Sequence, residues 1–180
     1  MLTREGVNKP SVMPGTIYIN NRGKQHPHIN AYLKRQNIPH ERRRLDIGDY
    51  QIADKPIAIT VFGSIQDFAS AILDNKGYFW KQLRKAKEKD IAMWYLIESE
   101  ELKSAQDLSA WKDKSGKIDS ERLESTMTYD IFANYRTEFI FTRRGACPSE
   151  LVDLLSIYDR TQDNLARNGH WGIYIDDANN

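Results

Sequence analysis

Carboxylates placed where a strand hands over to a helix can seat a divalent cation, and this sequence offers three such acids. Asp49 follows Gly48 in the stretch Leu45-Asp46-Ile47-Gly48-Asp49-Tyr50, Asp67 stands three residues after Ser64, and Glu98 closes the apolar run 91–97. Metal-assisted phosphodiester cleavage needs hard oxygen ligands of this kind to hold Mg²⁺, which polarises the phosphate and generates a hydroxide nucleophile. A lysine beside the metal steadies the attacking water or the developing charge. Between the first two acids runs Ile59-Thr60-Val61-Phe62-Gly63, and where an acid and a lysine would complete such a site it carries Val61 and Gly63. Each acid also has an ordinary role open to it. Gly48-Asp49 is a common turn pair, and Asp67 behind Ser64 has the form of a capping box, favoured by the helix dipole. Glu98 reads as a solvated strand-end acid, and Glu41 beside Arg42, Arg43 and Arg44 as half of a local ion pair. His26-Pro27-His28 supplies two imidazoles with no third ligand nearby in sequence, which argues against a metal site there.

The basic residues make a stronger pattern. Lys34 and Arg35 end one predicted helix, Arg42, Arg43 and Arg44 lead toward Asp49, and Lys76, Lys81, Arg84, Lys85, Lys87 and Lys89 crowd the segment 76–89. Lys81, Lys85 and Lys89 are four apart and share one helical stripe. Such stripes bind phosphates without reading sequence, and salt weakens them steeply. The halves of the chain differ in sign: residues 1–90 hold 16 Lys+Arg against 9 Asp+Glu, and residues 91–180 hold 10 against 16. A basic half joined to an acidic half points to a nucleic-acid face on one side, and solvated charge is the plainer account. No aromatic-rich single-strand platform accompanies the lysines, since Phe79 and Trp80 are expected to face the core.

The elements that must position these residues follow from periodicity. At 180 residues with 40% hydrophobic and 28% charged residues, the chain suits one globular domain with a proper core. It shows no membrane-length apolar run or signal-peptide pattern, and its one cysteine, Cys147, leaves no internal disulfide or cysteine-rich zinc site. This fits a cytoplasmic protein. Strands are predicted over 16–20, over "HERRRLDI" turning at Gly48-Asp49, over "IAITVF", over "IAMWYLIE" and over "EFIFT". Ile29, Tyr32, Leu33 and Gln36 fall at helical spacing, and Ser64 starts a helix running to about Leu73. Phe79, Leu83 and Ala86 mark the inner face of the next helix, 104–111 a short one, and Leu123, Met127, Ile131 and Tyr135 the stripe of a helix over 119–135. Pro148 opens the last helix. Residues 1–14 read as a flexible lead-in, 15–160 as the domain, and 161–180 as an extension whose "WGIYI" could add an edge strand. Helices between strands argue for an α/β fold, a mixed central sheet flanked by helices.

Four stretches in order, "IYINNR", "LDIGDY", "TVFGSIQDF" and "GYFWKQLRKAKEKDIAMWYLIE", together resemble the nuclease domain of the XPF-type structure-specific endonucleases. The similarity covers roughly residues 16–158 and is nearest to short single-domain phage and bacterial versions, without a helix-hairpin-helix tail. The resemblance implies a restriction-endonuclease-like fold and a role in DNA repair or recombination. Carried over by position, the family's first Asp falls on Asn20, its Gly-Asp acid on Asp49, its Glu-Arg-Lys triplet on Val61-Phe62-Gly63, and its following Asp on Asp67. The site is thus degraded, with Asp49 the one remaining metal ligand and Asp67 a vestige.

Three readings follow. The first is a catalytically inactive nuclease-like domain that binds duplex or branched DNA through Arg42, Arg43, Arg44, Lys81, Arg84 and Lys85, or competes with an active nuclease, with no cofactor. The second is an interaction module pairing as a homodimer or with a related nuclease or host protein, its acidic half and "WGIYI" the contact surfaces. The third is an active Mg²⁺-dependent endonuclease with a site rebuilt from Asp49, Asp67 and Glu98. On this alignment, Asn20→Asp, Val61→Glu and Gly63→Lys together should restore a metal site.

Overall fold

A run of apolar residues without alternation belongs in a strand covered on both faces, and 92–97, closed by Glu98, is one. In the computed structural model, which describes residues 15–168 apart from 24, 54, 75, 114 and 115, it is the fifth of six described strands. These are β1 (Ile17–Asn20), β2 (His40–Arg43), β3 (Tyr50–Ile52), β4 (Ile57–Phe62), β5 (Ala92–Glu98) and β6 (Thr137–Thr142). They form one mixed sheet in the order β2-β1-β3-β4-β5-β6, where β3 is antiparallel to both neighbours and the other pairs are parallel. The described α-helices are α1 (Pro27–Arg35), α2 (Ile65–Leu73), α3 (Tyr78–Glu88), α4 (Ser120–Ser125) and α5 (Cys147–Asn168).

Side-chain parity divides the core in two. Ile57, Ile59 and Val61 of β4 and Ala92 and Leu96 of β5 pack with Ile29 and Leu33 of α1 and Leu151 and Leu155 of α5. Ala58, Met93, Tyr95 and Ile97 pack on the opposite face with Phe68, Leu83 and Leu123 from α2, α3 and α4. Two covered faces make this the α/β architecture expected.

The strand expected over "HERRRLDI" stops at Arg43. Its continuation must leave the edge strand β2, cross the end of β1 and enter β3 on the far side, so residues 44–49 are irregular. Gly48 makes the turn at φ +69°, and the Asp49 N–H donates to Ile59 O at 2.9 Å. The short strand β3 after it did not stand out from its neighbours in sequence. The helix expected over 104–111 is a 3₁₀ turn over Ala105–Ser109, and the one over 119–135 begins as α4 and widens into π-helical turns over Thr126–Phe132. Leu123, Met127 and Ile131 still form its buried line. Helix α5 runs past residue 160 to Asn168, so part of the expected extension is helix. Residues 1–14 and "WGIYI" lie outside the described residues. No described helix is long and apolar enough to cross a membrane.

Candidate functional site

Asn20 ends β1 where the crossover 44–49 passes, and its amide is spent on holding that crossover. Its Nδ2 donates to Gly48 O at 3.0 Å, while Oδ1 accepts from the N–H groups of Arg22 at 3.1 Å and Leu45 at 3.4 Å. A carboxylate could accept the last two but could not donate to Gly48 O. Gln82, buried on α3, grips the same crossover from the other side: its Oε1 accepts from Gly48 N–H at 3.0 Å and its Nε2 donates to Asp46 O at 3.1 Å. Gln82 is not among the residues singled out by sequence pattern, although a glutamine on the apolar stripe of a helix signals that something polar must meet it.

Asp49 sits beside this latch. Its Oδ2 accepts from Val61 N–H at 3.1 Å and lies 3.8 Å from His26 Nε2. The backbone of Gly23 closes over it, since a Cβ there would meet Asp49 Oδ1 at 2.7 Å and Asn20 Nδ2 at 3.5 Å. The Val61 side chain, 2% exposed, belongs to the apolar core under α1 and α5. Gly63 has no side chain to contribute. Asp67 is exposed in the first turn of α2, where its N–H donates to Ser64 Oγ at 3.1 Å. A hard cation needs several oxygens converging on one point. Here both the Asn20 oxygen and one amide N–H are engaged by backbone, Val61 offers no oxygen, and Asp67 is exposed in the first turn of α2. Asp49 is thus the one buried-side carboxylate, and these residues do not form a converging oxygen set for Mg²⁺.

What remains is a cleft of about 730 Å³ over the α2–α3 face. Asn20, Asp49, Thr60, Phe62 and Asp67 border it, and Arg22, Arg44, Lys85 and Tyr78 stand among its walls. Arg42, Arg43 and Arg44 are exposed on and just after the edge strand β2, with the Arg43 guanidinium 3.9 Å above the Tyr18 ring. Lys81 and Arg84 are exposed on α3. The lysine stripe is partly neutralised, however. Asp46 Oδ2 holds Lys89 Nζ at 3.3 Å and Lys85 Nζ at 3.4 Å. The hydrogen bond from Lys89 and the charge of Lys85 keep the Asp46 carboxyl below its ordinary value.

Glu98 is not the solvated acid expected, nor does it join Asp49 and Asp67 at the cleft. It is 5% exposed and turns to the α1/α5 side, where its Oε1 lies 2.5 Å from His28 Nε2 and its Oε2 accepts from Arg144 Nη1 at 3.2 Å. The fully buried Cys147 at the start of α5 is its other neighbour, with one ligand atom from each of His28, Glu98 and Cys147 within 4.8 Å of the others. Burial, reinforced by the Glu98 charge, pushes the Cys147 thiol well above its ordinary value. His28 therefore does have acidic and sulfur neighbours, contrary to the sequence reading. Residues 28, 98 and 147 are too far apart in the chain for spacing to reveal this. The available signal was positional: two helix starts and the C-terminal end of a parallel strand lie at the same end of an α/β sheet.

The ERCC4 domain model matches residues 19–154. Among solved structures, the chain is similar to XPF from Aeropyrum pernix, with a TM-score of 0.58 and 15% identity, over 92% of this chain and 69% of that one. At that identity the likeness is one of fold. No curated protein matches the sequence.

Proposed function

The chain belongs to the ERCC4 domain family, and from that membership we propose that it is a nuclease-like domain that binds duplex or branched DNA without cutting it. One observation carries the reading: of the positions aligned with the family's site, Asn20 is held by three backbone partners, Val61 is sealed in the apolar core and Gly63 has no side chain, leaving only Asp49 and the exposed, helix-capping Asp67 as carboxylates. Losing one electrostatic contributor of this kind typically costs ~10²–10³ in rate. Several such losses at one site leave little cleavage, although they need not add. The cleft with Arg22, Arg44 and Lys85, continued by exposed Arg42 and Arg43, supports a phosphate-binding role. Tyr78, 68% exposed at the cleft, offers a ring on which a base or sugar could stack. No cofactor is needed for this activity.

The deciding assay puts duplex, fork and four-way junction in one gel, with Mg²⁺ or Mn²⁺ present. Shifts that fade with salt and are lost on changing Arg42, Arg43 and Arg44 to Ala support binding. Metal-dependent cleavage abolished by Asp49→Ala would instead establish a working, rearranged nuclease. Glu98 does not line the cleft that Asp49 and Asp67 border and is engaged by His28 and Arg144, which weighs against that alternative.

A second reading, pairing with another copy, a related nuclease or a host protein, draws on one feature. Tyr129 and Phe132 are 72% and 50% exposed on the π-helical segment of the acidic half. Salt-insensitive association without any DNA shift would favour it.

A further inference from the structure

The His28–Glu98–Cys147 cluster shares no residue with the positions aligned with the family's site and has a different donor chemistry, although the His28 ring stands 6.3 Å from that of His26, the neighbour of Asp49. It joins an imidazole nitrogen, a carboxylate oxygen and a sulfur from the starts of α1 and α5 and the end of β5. Its hydrogen bonding is incomplete. His28 Nε2 and Glu98 Oε1 stand 2.5 Å apart, yet neither atom makes a hydrogen bond of acceptable direction, and His28 Nδ1 is likewise without a partner. In a corner where the Glu98 side chain is 4% exposed, such atoms are costly unless something satisfies them. One nitrogen of His28, one carboxylate oxygen of Glu98 and the Cys147 sulfur lie within 4.8 Å of one another.

We propose that His28, Glu98 and Cys147 bind a borderline-soft divalent cation, best matched by Zn²⁺. Zinc takes nitrogen, sulfur and carboxylate oxygen in tetrahedral sites, and a mixed set of this softness disfavours Mg²⁺ and Ca²⁺. On binding, a sulfur–metal bond replaces the S–H bond of Cys147 and the proton leaves to solvent. The thiolate and the carboxylate then balance the dication, with His28 neutral. Ligand bonds of about 2.0–2.1 Å to nitrogen and oxygen hold a tetrahedral pair about 3.3 Å apart. Loading therefore parts His28 Nε2 from Glu98 Oε1 by roughly 0.8 Å from their 2.5 Å separation. Arg144 keeps its bond to Oε2 and aims Oε1 inward, the role of an outer-shell partner. The His28 side chain is the most exposed of the three, at 22%, which leaves the fourth position to solvent. The ion ties two helix starts to the sheet end and does not depend on whether the cleft binds DNA.

The test is a titration of the full chain, stripped with chelator, with Co²⁺ and then Zn²⁺. One Co²⁺ per chain with a thiolate-to-cobalt charge-transfer band, displaced by Zn²⁺, is the expected result and needs no variant to fold. In Cys147→Ser the band should vanish, and in His28→Ala affinity should fall by more than the ~10–100-fold typical of losing an outer-shell partner. Asp49→Asn should leave the spectrum unchanged. Folded wild-type protein with no sulfur-to-metal band overturns the proposal. So does metal binding that survives Cys147→Ser undiminished or is lost with Asp49→Asn, which would place the ion at Asp49 and His26.

Discussion

Asn20→Asp separates a lost ligand from a fitted structural latch, because the two demand opposite consequences. The variant replaces Nδ2, which donates to Gly48 O at 3.0 Å, by an oxygen that cannot donate. A buried acceptor stripped of its partner costs about 1–3 kcal/mol. The new carboxylate also faces Asp49. Both side chains border Gly23, with 2.7 Å and 3.5 Å approaches to its would-be Cβ, which bounds their separation at about 6 Å. Two like charges at that distance repel by roughly 3 kcal/mol at an effective dielectric of 20. Partial proton uptake relieves some of this, so a net destabilisation of about 2–4 kcal/mol is expected. In a protein of this size that is a fall in Tm of about 5–15 °C. A divalent cation bridging the two carboxylates would reverse part of it: at ten times its Kd it returns about 1.4 kcal/mol. The assay is thermal and urea unfolding of wild type and variant, in EDTA and in Mn²⁺. Wild type should ignore Mn²⁺ at the cleft, and the variant should be weaker in EDTA and partly rescued by the ion. Equal stability of the two proteins in EDTA refutes the latch, because the amide donor would then be dispensable.

Asp46→Asn releases Lys85 and Lys89, 3.4 and 3.3 Å from its carboxylate. If both reach phosphates, the log–log salt slope of DNA binding steepens by about 1.8, adding roughly twelvefold to the affinity lost between 50 and 200 mM salt. An unchanged slope would mean that these lysines stay off the DNA. Gly48→Ala meets a left-handed backbone at φ +69° and sets a Cβ 2.9 Å from that of Ala58. Left-handed strain and overpacking together predict a loss of about 2–4 kcal/mol in urea unfolding. Tyr95→Phe should do the reverse, since the Tyr95 hydroxyl is buried with no partner. A gain of about 1–2 kcal/mol near neutral pH is expected. Burial holds the folded Tyr95 pKa well above its ordinary value. The folded chain therefore keeps a proton that the unfolded chain loses near pH 10, and the stability tied to it is whole below that pH and falls above it by about 1.4 kcal/mol per pH unit. Unfolding titrations near neutrality and at about pH 11 should show a smaller alkaline loss in the variant.

Local signals carried the parts of the fold that depend on local physics. The unbroken apolar run became β5, Ser64 capped α2 through the Asp67 N–H, and the Phe79, Leu83 and Ala86 stripe lies inward on α3. The crossover at 44–49 was illegible because nothing in "RLDIGD" says that the chain must hop over β1. That requirement arises only once β2 pairs at the edge and β3 inside. The same topology brings Asn20, Gly48 and Gln82 together from residues 28 and 34 positions apart. Asp49 draws notice in the sequence from its Gly-Asp setting. Its bond to Val61 N–H depends on strand packing beyond any local motif.

Strand parity connects position 61 to the buried acid. Val61 pairs with Leu96 across β4 and β5, and both side chains enter the core under α1 and α5. Glu98, two residues beyond Leu96 on the same strand, turns to that same side and meets His28 and Cys147. An acid at position 61 would therefore point into the layer where Glu98 is already buried, one strand away and two residues along. Two desolvated carboxylates that close disfavour each other's ionisation and need cations or donors to coexist. With valine in place, the single charge of Glu98 is matched by Arg144 at 3.2 Å, and the layer beneath it is closed with hydrocarbon. The apolar residue at 61 and the buried cluster at 28, 98 and 147 are thus mutually consistent solutions to one electrostatic problem. Reintroducing an acid at 61 without changing Glu98 pits one against the other.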